Sequence, residues 1–221
     1  MKLHFSFFSN VNILDESQLL TIVIEERKLY YKFLSYLYFD FPCDDDFIYF
    51  IDVEKDPSDI CYFIENLFDL SLNTKKNLSF LYKSIKTSYF ELLKEAIHVL
   101  NSANNELIER IKVEAEYDLY VSEDIKPEDY LKLINLRFTD TDKSLLERLI
   151  DFIVITSEIQ KIKIFFISDI HRYFSAIEIE KLVNTIKYYE IYLINVESSS
   201  PKNKSNVEKI CIYDVDFCTL E

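Results

Sequence analysis

The chain has no glycine and no tryptophan in 221 residues, and only four prolines and one methionine. A loop that cradles nucleotide phosphates needs glycine, both for its tight turn and for close approach of the backbone. A conventional nucleotide-phosphate site is therefore excluded. Basic residues are scarce as well: 25 Lys and Arg face 39 Asp and Glu, a net charge of −14. A duplex repels such a surface on average, so any contact with nucleic acid has to come from a local concentration of lysine. No apolar run is long enough to span a bilayer, and Lys2–Phe8, interrupted by His4 and Ser6, does not read as a signal peptide. Cys43, Cys61, Cys211 and Cys218 have no paired spacing, which points to reduced thiols and a cytoplasmic protein, with neither disulfides nor a zinc site.

What is present is aromatic and aliphatic: 18 Phe, 16 Tyr and 49% hydrophobic residues, enough for a sizeable core. The most informative stretch is Lys161–Glu197. Lys161–Ile167 is a short β-branched and aromatic run that suits a strand buried on both faces. Ser175 and Glu178 form a capping box, and Ile179, Leu182, Val183 and Ile186 share a helical face. Tyr192–Val196 is a second apolar strand. The spacing predicts a right-handed crossover in a parallel sheet.

Earlier in the chain, strands are expected over Lys2–Phe8, Leu19–Ile24, Phe47–Val53 and Ile60–Ile64, with a helix over Arg27–Phe39. From Asn73 the pattern becomes helical through Leu100, with Leu78, Leu81, Ile85, Leu92 and Ala96 on one face and a break at Asn101–Asn105. Pro127 opens a helix that runs to about Arg137. Asp140–Asp142 offers N-caps for a helix over Lys143–Glu158, and Ile210–Phe217 reads as the last strand. The fold class is α/β: a head of mostly parallel sheet formed by residues 1–70 and 140–221, with a helical extension over 71–139 inserted between them.

Two charge features carry the functional reading. Lys75, Lys76, Lys83, Lys86 and Lys94 fall within about 100° of one helical arc, with Glu91 as the sole acid nearby. This is either a solvated face or a surface that tracks phosphates without reading sequence. In Lys112–Val121 the residues alternate, so a strand would carry Glu114, Glu116 and Asp118 on one face, followed by Glu123 and Asp124. Clustered carboxylates repel unless water or a cation screens them. All-oxygen ligands suit calcium or magnesium. His4 and His98 read as structural. Asp169, His171 and Arg172 occupy the crossover loop, at the strand end where open α/β sheets bind ligands, but no nucleophile with a base accompanies them.

The chain resembles the Csn-two family, the accessory adaptation proteins of type II-A CRISPR systems. The likeness runs from MKLHFSFFSNVNIL and SQLLTIVIEE through FIYFIDVEKDPSDICYFIENLFDL and EYDLYVSEDIKPEDYLKLINL to KIKIFFISDIHRYFSAIEIEKLVNTI. It implies an α/β head distantly like nucleotide-binding sheets but without their phosphate loop, and a helical extension. It further implies a homotetrameric ring and calcium held in the acidic segment Glu114–Asp124. Double-stranded DNA ends would be gripped by the lysines as a group without cleavage. The partners it implies are the CRISPR integrase pair and the effector nuclease, in spacer acquisition. The residues leave two alternatives open, a metal-dependent nuclease using the acidic cluster and a protein adaptor that binds no DNA.

Overall fold

The structure is a computed structural model and describes residues 2–7, 12–13, 17–42, 47–50, 56–115, 125–139, 142–214 and 219–220. The chain divides into two compact units, one of Met1–Ser71 with Asp142–Glu221 and the other of Leu72–Thr141. The protein is α/β. Among the described residues no helix is long and apolar enough to cross a membrane.

Among the described residues the first unit is built on nine strands, β1 (Lys2–Phe5), β2 (Asn12–Ile13), β3 (Leu19–Ile24), β4 (Ile48–Phe50), β5 (Cys61–Ile64), β6 (Ile164–Ser168), β7 (Tyr192–Glu197), β8 (Glu208–Tyr213) and β9 (Thr219–Leu220). The main sheet has the order β5-β6-β7-β3-β8-β9. Its first five strands are parallel, and β9 pairs antiparallel at the edge. A small antiparallel sheet, β2-β1-β4, lies within the same unit. β3 is central because Leu-Leu-Thr-Ile-Val-Ile tolerates burial on both faces, and all six residues are buried.

Alternation along the strands gives the sheet two different faces. One carries Leu20, Ile22, Ile24, Ile164, Phe166, Ile194 and Val196. Helix α1 (Arg27–Tyr38) packs there through Phe33, Tyr36 and Leu37, with Phe33 edge-on to Phe166 at 6.3 Å. The other face carries Thr21 and Asn195, opposite each other in register. A one-turn helix, α2 (Pro57–Ile60), precedes β5.

The expected crossover is present. β6 and β7 are adjacent and parallel, joined by α7 (Ala176–Tyr188). Glu178 Oε2 accepts from the Ser175 amide at 2.9 Å, completing the capping box, and Ile179, Leu182, Val183 and Ile186 are the buried residues of the helix. The preceding helix, α6 (Leu145–Gln160), starts later than the acidic turn suggested. Its N-cap is Ser144, which forms a second capping box with Glu147 at the third helical position.

The lack of glycine is visible at helix ends. Asp40, Phe41, Asn135, Lys161 and Glu190 adopt left-handed φ of 54–65° at or just beyond helix C-termini, where glycine is the usual choice. Each such residue costs roughly 1–2 kcal/mol, which the surrounding packing must offset.

The second unit holds α3 (Lys75–Ser88), α4 (Phe90–Glu114) and α5 (Pro127–Leu133). Three expectations are corrected here. The break falls at Tyr89, with φ −123° and ψ 31°, and α4 runs without interruption through Asn101–Asn105. The Asn101 side chain bonds outside its own helix instead: its Oδ1 accepts from the Ile125 amide at 3.0 Å. The break also removes Leu92 and Ala96 from the face of Leu78 and Leu81, and Leu92 is exposed. Residues Lys112–Glu114 are helical and not the start of a strand, supported by ion pairs Arg110–Glu106 and Lys112–Glu109 at helical spacing. α5 stops at Leu133, four residues short of Arg137, because Asn135 turns left-handed. The chain beyond α5 is tied back to α3: Tyr82 donates to the Leu136 carbonyl at 2.9 Å, and Asn73 Oδ1 accepts from the Phe138 amide at 2.9 Å.

Candidate functional site

In the second unit, α3 and α5 enclose a groove of about 690 Å³. Lys75, Lys83 and Lys86 come from α3; Lys126, Lys132 and Arg137 come from α5 and its flanks. Glu128 and Asp129 are the acids of the lining, so six cations meet two carboxylates, net +4 in a chain of net charge −14. Leu78 and Tyr82 supply an apolar wall.

The cations are not equivalent. Lys86 Nζ lies 2.7 Å from Glu128 Oε1, an ion pair that joins α3 to α5. The hydrogen bond from Lys86 holds the Glu128 carboxyl below the usual glutamate range. Lys132 pairs with Asp129 at 3.0 Å within α5. Lys83 Nζ sits 5.7 Å from the centre of the Phe80 ring. Arg137 donates through Nε to Asn135 Oδ1 at 2.6 Å.

Of the five lysines singled out in the sequence, Lys75, Lys83 and Lys86 line this groove. Lys76 is exposed on α3 outside the lining, and Lys94 is exposed on α4, on the far side of the Tyr89 break. A single five-lysine stripe on one helix is therefore replaced by a two-helix arrangement. Lys126, Lys132 and Arg137 escaped the sequence reading because Glu128 and Asp129 are interleaved with them, and because the turn after α5 brings Arg137 back to α3.

Of the acidic set, Glu114 is the exposed last residue of α4. Glu116, Asp118, Glu123 and Asp124 lie outside the described residues. Among the described residues no group of three or more His, Cys, Asp or Glu is placed to hold a metal ion.

At the carboxyl end of the main sheet, the crossover loop forms a buried polar cluster. Asp169 is left-handed (φ 55°), and residues Ile170–Arg172 form a single 3₁₀ turn that directs His171 inward. His171 Nδ1 lies 2.9 Å from Glu197 Oε1, and Nε2 lies 3.1 Å from Glu208 Oε2. The three side chains are 6%, 7% and 0% exposed. Thr21 donates to Glu208 Oε2 at 2.8 Å, the Ser205 amide donates to Glu208 Oε1 at 2.6 Å, and Asn195 Nδ2 donates to Glu197 Oε1 at 3.0 Å. Burial alone would push the imidazole pKa down, but the two carboxylates override it and raise it to about 9. For both glutamates burial acts upward, and the hydrogen bonds led by His171 bring them below the usual range. Burial and the nearby Glu197 push Asp169 up, and burial with Asp169 pushes Tyr30 to about 12.

This cluster holds an imidazolium between two carboxylates where a nucleotide fold would hold its ligand. The turn from β3 into α1, the corresponding place for a phosphate, is filled in the same way. Glu26 accepts from the amides of Lys28 at 3.0 Å and Leu29 at 2.6 Å, so the chain's own carboxylate caps the helix. The remaining candidates are structural in their surroundings. His4 stacks on Tyr49 at 6.3 Å, and Cys61 and Cys211 are buried, with burial raising the Cys61 thiol pKa. Cys43 and Cys218 lie outside the described residues.

No curated protein matches the chain. A family model described as CRISPR-associated protein (Cas_Csn2) matches residues 43–217.

Proposed function

The chain belongs to this CRISPR-associated family, and from that premise we propose that it is a non-catalytic, ring-forming binder of double-stranded DNA ends that serves spacer acquisition. The observation that carries the reading is the α3–α5 groove, where six cations gather in an otherwise acidic protein. Lysine meets a phosphate as a point charge and carries no sequence information. Such a surface grips the backbone of any duplex, and its affinity falls steeply with salt as counterions are released.

In this reading the acidic exterior discourages binding elsewhere. Copies of the groove, repeated by the symmetry of a homotetramer, line one channel. The acidic segment Glu114–Asp124 holds calcium, which screens carboxylates that would otherwise repel one another and stabilises the assembled state by mass action. The integrase pair and the effector nuclease are the partners in acquisition.

The test is an end-labelled linear duplex incubated with the protein in calcium, in magnesium or with chelator. Retarded but full-length DNA is expected in all three, with most complex in calcium. Shortened products in magnesium would establish a nuclease. Absence of a retarded band at low salt would leave a protein adaptor.

A further inference from the structure

We propose that Glu128 is a resident anion of the α3–α5 groove, occupying on Lys86 the position that a DNA backbone phosphate takes when the duplex binds. This rests on the reading that the groove receives phosphates. Among the described residues of this unit, the Lys86–Glu128 pair is unlike the other ion pairs. Arg110–Glu106, Lys112–Glu109 and Lys132–Asp129 each lie three or four residues apart on one helix. Lys86 and Glu128 are 42 residues apart and bridge two helices across the groove itself.

At 2.7 Å the contact is a charge-assisted hydrogen bond, the same bond that a phosphate oxygen would make to the ammonium. The pair is also replaceable. Its side chains are 42% and 27% exposed, and pairs in contact with water are weak enough for a competing anion to displace. Glu128 is ionised at neutral pH, since Lys86 keeps its carboxyl below the usual range. The groove therefore starts with one of its α3 lysines already engaged. A phosphate must exchange with Glu128, and the displaced carboxylate, held on α5, is always at hand to take the lysine back. This lowers affinity and favours release, as suits a protein that hands DNA on.

A double-mutant cycle separates this exchange from simple repulsion. Affinity for a short linear duplex is measured by fluorescence anisotropy for the wild type, Glu128→Gln, Lys86→Met and the double variant. In Glu128→Gln the phosphate no longer has to break the Lys86 pair, worth about 1 kcal/mol. With the lost repulsion added, binding is expected to tighten about tenfold when Lys86 is present. In the Lys86→Met background the same change is expected to give no more than about threefold, the part due to charge alone. Glu128→Ala should reproduce the pattern, and melting curves identify any variant that does not fold. Equal gains with and without Lys86 would overturn the proposal, because Glu128 would then act only through its field. So would a wild type that binds and a Glu128→Gln variant that binds no better. A wild type that fails to bind duplex at about 50 mM salt, where phosphate contacts are strongest, would remove the functional reading together with this one.

Discussion

Replacing Lys76, Lys83 and Lys86 together by glutamate is expected to abolish duplex binding while leaving the oligomer intact. Lys83 and Lys86 line the groove, and Lys76 stands exposed on the same helix. A lysine–phosphate contact is worth about 1.5–3 kcal/mol. Losing the Lys83 and Lys86 contacts, and setting three carboxylates near the phosphates, lowers affinity by more than about a hundredfold. The residual binding should also respond less to salt, because fewer counterions are released. Little stability is at stake. Lys76 and Lys83 are exposed, and the Lys86–Glu128 pair, half in water, is worth about 1 kcal/mol or less. Gel retardation and sedimentation velocity on the same preparation check both halves of the expectation. Wild-type affinity in the triple variant would move the DNA surface elsewhere, with Lys202, Lys204 and Lys209 the next group to replace.

The second large effect concerns stability. His171→Leu removes the cation from between Glu197 and Glu208 and leaves two buried carboxylates without their partner. Breaking a buried pair in this way costs about 3–5 kcal/mol, a large part of the roughly 5–15 kcal/mol that holds a domain together. The melting temperature should fall by roughly 10 °C. The pH dependence follows from the direction of each shift. His171 is raised from 6.5 to about 9, so its stabilisation is complete below pH 6.5 and is lost as pH rises through 9. Glu197 and Glu208 are lowered, so theirs is present above the ordinary glutamate range and is lost as pH falls through their folded values. The wild type should thus be most stable between these limits. The penalty in His171→Leu should shrink in acid, where the orphaned carboxylates can take up protons. Thermal melts of both proteins from acid to alkaline pH measure this. A uniform loss of only a degree or two would mean that water screens the cluster.

These two sites differ in how far the sequence revealed them. Leu19–Ile24, α1 and the β6–α7–β7 crossover are legible because their signals are local: continuous apolar runs, a helical stripe and a Ser175–Glu178 capping box within four residues. The break at Tyr89 carries no Gly, Pro or Asn to mark it, whereas the Asn-rich stretch at 101–105 looks like a break and is not one, since Asn101 spends its amide on Ile125. The alternation in Lys112–Val121 overlaps the end of α4, and the helix holds as far as Glu114. At the head, the crossover loop could be identified as the place to look. Its meaning came from Glu197, Glu208 and Asn195, which reach His171 from two other strands, and from Thr21 on a third, which holds Glu208. In the groove, three lysines could be read from α3, while Lys126, Lys132 and Arg137 are hidden among acids and join them only through the tertiary fold.

The central claim is that symmetric copies of the groove form a closed path for DNA, so that DNA enters by threading an end. The most direct measurement is a mobility shift of the wild-type protein with linear and with covalently closed circular duplex of the same sequence, in calcium and with chelator. A closed ring predicts retardation of the linear form, strengthened by calcium, and none of the circle at matched protein concentration. Equal retardation of circles and linear DNA would contradict it, since phosphate contacts alone would then account for all binding.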